Sequence, residues 1–184
     1  MTGDAPGRSP LEERAGDLET IGARLLPFLT QVDLRVDQAH AERSPYPLPL
    51  EPNTCKEHEA VETLWLGPDE WLVVGPSGSA GDLTSALGTA FADVHHSTVD
   101  VSANRVAIEL IHEDRAETLS SVCSLDLEAP AWIAGRCAQT LVGRAQVLLQ
   151  ERSDTTRLFV RPSFAGYLVD LLLEVRRVGG DVRA

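Results

Sequence analysis

Between Val61 and Val74 the chain reads as two short strands, Val61 to Leu66 and Trp71 to Val74, joined through Gly67-Pro68-Asp69-Glu70. Pro68 presets φ at the first central position of the turn, so the two strands are predicted to form a hairpin. Near the turn both strands are apolar on both faces. Strands of that kind are expected to be covered on each side.

The rest of the chain supplies the covering elements. Val32, Leu34 and Val36 alternate with Asp33 and Arg35, the pattern of a half-buried strand. Residues 44–53 hold four prolines, which cannot donate to a central ladder. The stretch is expected to stay extended and to lie, through Tyr46, Leu48 and Leu50, against this domain or a partner. Leu83, Ala86, Leu87, Ala90 and Phe91 have helical spacing, with Asp82 as N-cap. Strands follow around Val99 and Val101 and from Val106 to Leu110. A short helix begins near Asp114, and residues 124–135 read as a loop.

Cys137 to Val142 pairs with Gln146 to Gln150 through Gly143-Arg144, a Gly-first connection suited to a type II′ turn. After a strand from Leu158 to Val160, Pro162 opens a last helix with the apolar stripe Phe164, Tyr167, Leu168, Leu171, Leu172 and Val175. From Trp71 to Val142 the order is strand, helix, strand, strand, helix, strand. The expected class is α+β, a ferredoxin-like βαββαβ core extended by antiparallel hairpins. No solenoid-type repeat is visible. Near the N-terminus, Leu11, Leu18, Ile21 and Leu25 suggest a helix ending before Pro27, and the Gly/Pro-rich residues 1–10 are expected to be disordered.

Composition narrows function by exclusion. A formal net charge of −12, with Lys56 the only lysine, argues against binding nucleic-acid phosphates. Cys55, Cys123 and Cys137 form no C-x-x-C pair, so neither a disulfide framework nor a zinc site is indicated. The N-terminus lacks an apolar leader core, and the longest apolar stretches are too short to span a bilayer, which points to a reducing cytoplasm.

No set of residues assembles a nucleophile, a base and oxyanion donors, so no catalytic, cofactor-binding or metal residue is assigned. Gly75 to Gly81 sits where phosphate loops occur but lacks their Lys-Ser/Thr, and reads as a connector. Asp93, His95, His96 and His112 are conceivable metal ligands, yet adjacent His95 and His96 would face opposite ways on a strand. Cys137 is read as a small buried apolar residue rather than a reactive thiol, because no group positioned to lower its pKa shares its face. Gln139, on the face of Cys137 and Leu141, needs a hydrogen-bond partner, from the loop 124–135 or from another subunit. Asp100 is by default an exposed carboxylate.

Several segments resemble the gamma subunit of heterotetrameric sarcosine oxidase. They include Pro27 to Val36, Leu48 to Thr54, Leu64 to Val74, Asp100-Val101-Ser102-Ala103 with Arg105, Cys123 to Leu127, Gly135 to Leu141 and Arg161 to Leu168. They occur in the family's order from about residue 27 to 175. Val122 stands where the family is expected to carry glycine, and Trp132-Ile133-Ala134 departs from its proline-bearing approach to Gly135.

The resemblance implies an N-terminal arm (1–26, partly disordered), a gamma-type domain (27–176) and a C-terminal tail (177–184). It also implies a fold like the folate-binding domain of aminomethyltransferases. By the same resemblance the chain is a non-catalytic subunit supporting a complex that oxidatively demethylates sarcosine to glycine, with the one-carbon product passed to tetrahydrofolate. FAD, FMN, NAD and zinc would lie in alpha, beta and delta partner subunits. Two alternatives are a free-standing folate-binding module, for which Asp100 with Arg105 is the candidate pair, and an iron–sulfur-repair type of protein using Cys137. If the subunit reading holds, an apolar docking patch is expected from Pro45–Pro52 and the hairpin around Trp65 and Trp71.

Overall fold

The computed structural model describes residues 9–182. The chain builds two five-stranded antiparallel sheets packed face to face, with helices on both outer surfaces. Its strands are β1 (Ala23–Leu25), β2 (Thr30–Val36), β3 (Cys55–His58), β4 (Val61–Gly67), β5 (Glu70–Gly75), β6 (His96–Asp100), β7 (Val106–Leu110), β8 (Cys137–Val142), β9 (Ala145–Glu151) and β10 (Thr156–Val160). Its helices are α1 (Ala15–Thr20), α2 (Ala80–Ala90), α3 (Arg115–Ser120) and α4 (Pro162–Val182).

The expected α+β class and its succession of elements are present, but the strands divide between two sheets. The first sheet has the order β3-β4-β5-β2-β6 and the second β8-β9-β10-β7-β1. These orders are equivalent position by position. In each half a hairpin strand (β5 or β10) runs into a helix (α2 or α4) through a Pro-Ser pair, Pro76-Ser77 or Pro162-Ser163. The edge strand β6 follows α2 directly, whereas its counterpart β1 comes from the start of the chain. The repetition is one of topology, with only that short echo in sequence, so periodicity along the chain does not reveal it.

Three apolar layers hold the stack together. Leu83, Leu87 and Phe91 of α2 and its C-terminus cover Val32, Leu34, Trp71 and Val73 on the outside of the first sheet. Leu168, Val169 and Leu172 of α4, with Leu18 and Leu119, cover Ile108, Leu149, Leu158 and Val160 on the outside of the second. Leu64, Leu72, Val74, Leu148 and Phe159 fill the seam between the sheets. The doubly apolar hairpin β4–β5 is thus covered on both sides, as its sequence demands.

Several expectations are corrected. The N-terminal helix stops at Thr20, because Gly22 adopts φ +64° and turns the chain into β1, so Leu25 lies on a strand. Leu11, Leu18 and Ile21 are buried, and the guanidinium of Arg14 donates to the Gly166 carbonyl and to Asp170 of α4. Leu11, Leu18, Ile21 and Ala23 thereby pack into the domain core. Residues 1–8 of the stretch expected to be disordered lie outside the described residues. Of the tail, residues 177–182 continue α4.

Ser79, not Asp82, occupies the N-cap position of α2, and its carbonyl accepts from Leu83 N–H at 2.9 Å. On α4 the buried stripe is Ala165, Leu168, Val169 and Leu172, while Phe164 and Tyr167 are exposed. The Gly143 turn is as expected, with φ +57°. A Cβ there would lie 2.5 Å from the Tyr167 hydroxyl, so glycine is required by space as well as by backbone conformation.

The proline-rich stretch lies against its own sheet. Leu48 is buried, Trp71 Nε1 donates to the Pro49 carbonyl at 2.8 Å, and Thr63 Oγ1 donates to the Pro47 carbonyl at 2.6 Å. A buried indole N–H needs an acceptor, and carbonyls of a strand that joins no ladder are free to provide one. Trp71 is fully buried and Trp65 half-buried. Leu50 remains exposed, but the docking patch expected from these aromatic residues is for the most part sealed inside this chain.

Candidate functional site

The seam between the sheets collects the charged and polar side chains that the strands turn inward. Antiparallel pairing arranges the second sheet's inner face in rows. One row runs Cys137, Gln150, Arg157, Glu109 and Arg24; the next runs Gln139, Leu148, Phe159 and Ala107. The third row holds the pair Leu141 and Gln146, and Arg161 and Arg105 stand one step beyond the last paired residues of β10 and β7, Val160 and Val106. The middle row is apolar and meets Leu64, Leu72 and Val74 from the first sheet. The two ends of the seam are polar, and they differ in charge balance.

At the first end the charges neutralise one another. Arg157 Nη1 donates to Glu62 Oε2 at 2.6 Å, Gln150 Nε2 donates to the same oxygen at 2.9 Å, and Arg152 pairs with Glu62 Oε1. Arg152 also reaches Glu57 at 3.2 Å, and Arg24 and Arg157 flank the buried Glu109. Burial pushes the Glu109 carboxyl pKa up, but the Arg24 hydrogen bond and the fields of Arg157 and Arg24 outweigh it and hold the value below the usual range. Glu62 belongs to the first sheet and its three partners to the second sheet and its β9–β10 turn, so this network bridges the two halves. A cleft of about 600 Å³ opens beside it, lined by Arg24, Glu57, Glu109, Arg152 and Arg157 among others.

The cysteines of the seam are hydrogen-bonded within the chain. Cys137 is fully buried, its thiol donates to the Thr54 carbonyl at 3.2 Å, and burial raises its pKa to about 12. Cys55 is raised to about 11 for the same reason. Thiolates are the nucleophilic form, so neither position suits nucleophilic chemistry. Gln139 finds its partner across the seam, donating from Nε2 to the Leu66 carbonyl at 3.0 Å, rather than in the loop 124–135.

The remaining candidates are dispersed. Asp100 accepts from Ser102 N at 3.0 Å and from Ser102 Oγ at 2.5 Å, fixing the turn after β6, and no ion pair with Arg105 is formed among the described residues. Asp93 pairs with Arg43, and His96 Nδ1 lies 3.0 Å from the Val94 carbonyl. His112 packs against Gly22, and burial together with Arg176 lowers its pKa. No group of three metal-ligating side chains converges among the described residues. In the Gly75–Gly81 connector, Gly75 is needed because a Cβ would lie 2.9 Å from both Leu83 and Ser79 Oγ.

The bridging residues Glu62, Arg157 and Glu109 escaped the sequence reading. The available signal was a charge in the middle of an apolar strand, as in Val106-Ala107-Ile108-Glu109-Leu110 and Thr156-Arg157-Leu158-Phe159-Val160. Such a charge needs a buried counter-ion, but the sequence does not say which one.

Two sheets with this topology make an α+β fold of the kind seen in an aminomethyltransferase. The fold matches the glycine cleavage system aminomethyltransferase T from Bartonella henselae with a TM-score of 0.65 at 15% identity, over 93% of this chain and 52% of that one. A family model for the sarcosine oxidase gamma subunit matches residues 37–176, and the chain belongs to that family. It is 30% identical to the sarcosine oxidase subunit gamma of an Arthrobacter species over 91% of this chain and 90% of the relative. The corresponding protein of Corynebacterium sp. strain P-1 is also 30% identical, over 91% and 88%. A chain of the heterotetrameric sarcosine oxidase from Corynebacterium sp. U-96 superposes with a TM-score of 0.84 at 26% identity, over 93% of this chain and 95% of that one.

Proposed function

We propose that this chain supports the assembly of a heterotetrameric complex that oxidatively demethylates sarcosine to glycine, and that it contributes contacts rather than chemistry. Its partners are the alpha, beta and delta subunits, which carry the FAD, FMN, NAD and zinc, and the complex works in the cytoplasm. The observation that supports this best is the superposition on nearly the whole of one chain of a heterotetrameric sarcosine oxidase. The polar groups inside the seam are consistent with it, since each thiol and the Gln139 amide is taken up by an internal partner. No helix among the described residues is long and apolar enough to cross a membrane.

The test is co-expression with the genes for the other subunits, followed by purification through a tag on this chain. A flavin-coloured complex that oxidises sarcosine is expected to co-purify. A chain that elutes alone and colourless under those conditions overturns the reading. The likeness to the aminomethyltransferase supports a folate-binding module as the competing reading, and calorimetric titration of the isolated chain with tetrahydrofolate distinguishes it.

A further inference from the structure

The second end of the seam is less fully neutralised than the first. Arg105 and Arg161 lie side by side at the mouth of a cleft of about 670 Å³, whose walls include Gln139, Leu141 and Gln146. Among the described residues neither guanidinium forms an ion pair, whereas the arginines at the opposite end are all held by carboxylates. Arg105 is half-buried, and Arg161 acts on it as a like charge. The carboxylates whose fields reach Arg105 are Asp33 and Glu70. Glu70 is already held by Arg35 at 2.7 Å, and Asp33, whose buried Oδ1 has no hydrogen-bond partner, forms no ion pair with Arg105 among the described residues. Next to them Leu141 is 51% exposed, on the same inward face as Gln139.

We infer that this cleft receives an acidic segment of a partner subunit, a carboxylate side chain set between Arg105 and Arg161 with an apolar neighbour covering Leu141. The inference rests on the subunit reading above. Charge complementarity carries it: a guanidinium fork pairs best with a carboxylate, and such pairs across an interface gain strength as water is excluded. The bulk acidity of this chain would otherwise repel an acidic partner, so a local cationic mouth also sets where that partner can approach.

The experiment uses the co-expressed complex and measures the dissociation constant and the salt concentration at which this chain is released. For Arg105→Gln/Arg161→Gln the dissociation constant is expected to rise about tenfold or more, with release at lower salt. Arg177→Gln, on the outer face of α4, should match the wild type. Arg161 is exposed, so Arg161→Gln alone tests the site if the double variant does not fold, as judged by the melting of the isolated chain. Unchanged release by Arg161→Gln and by a folded double variant overturns the inference. Binding of citrate to the isolated chain that depends on both arginines, with assembly unaffected, also overturns it in favour of a small-anion site. If the wild-type chain itself fails to assemble, the subunit reading is lost, and that result shows in the wild-type sample rather than in the variants.

Discussion

Glu62→Ala should be among the most damaging single changes at the seam. Glu62 has a side-chain exposure of 14%, Arg157 of 10% and Arg152 of 29%. Removing the carboxylate leaves Arg157 with Glu109, at 3.5 Å, as its one carboxylate among the described residues, besides the Gln150 amide oxygen at 3.3 Å, and Arg157 Nε is buried without a partner among them. It also strips the Gln150 amide of its acceptor oxygen. Removing one member of a buried pair typically costs about 3–5 kcal/mol, because the remaining charge is stranded. Against a total stability of about 5–15 kcal/mol this is a large fraction. For a domain of this size it corresponds to a fall in melting temperature of about 6–20 °C. Differential scanning calorimetry of the purified chain reads the effect directly. Glu57→Ala is the control: the Glu57 side chain is 57% exposed and, among the described residues, ion-pairs with Arg152 alone, so its loss should cost no more than about 1 kcal/mol. If Glu62→Ala melts within about 2 °C of the wild type, roughly 1 kcal/mol or less, the seam is not bridged by this network and the reasoning fails.

Gly143→Ala places a Cβ against Tyr167 and Leu171 at a positive φ, and should destabilise by about 2–4 kcal/mol in denaturant titration, the overpacking and backbone costs together. The Glu109 pKa is depressed in the fold, so its stabilising contribution is present above the unfolded carboxylate range and lost as pH falls through the folded value. Glu109→Gln should therefore flatten the loss of stability between about pH 5 and pH 2 in melting curves taken across that range. Cys55 and Cys137, with thiol pKa values of about 11 and 12, should resist iodoacetamide at pH 8 in the native chain and react only after unfolding, as counted by mass spectrometry.

Much of the fold is readable before any coordinates because it is written in local chemistry. The alternation of Val32, Leu34 and Val36, the Gly143 turn and the spacing of Leu83, Leu87 and Phe91 each depend on neighbours within a few residues. The likeness to the gamma-subunit family is readable for a related reason, since it lies in short ordered segments. Misreadings fell where two patterns fit the same letters. Leu25 continues a helical spacing, yet Gly22 ends the helix first. Phe164 and Tyr167 are apolar, yet the larger part of α4's buried surface turns one step away from them. The proline-rich stretch was expected to lie against something, but which surface it would cover was decided by the indole of Trp71.

By itself, then, the sequence determined most of the strands and helices, though not β1 or β3, together with the double-sided covering of the Val61–Val74 hairpin and the family. The tertiary structure alone decided that the strands divide into two equivalent sheets, because apolar periodicity says that a face is buried but not against what. It also decided the charges of the seam. Glu62 and Arg157 are separated by 95 residues, and Arg105 and Arg161 become neighbours only when β7 pairs with β10. A buried or crowded charge announces that it needs a counter-ion; only the folded chain shows which charges meet across the seam.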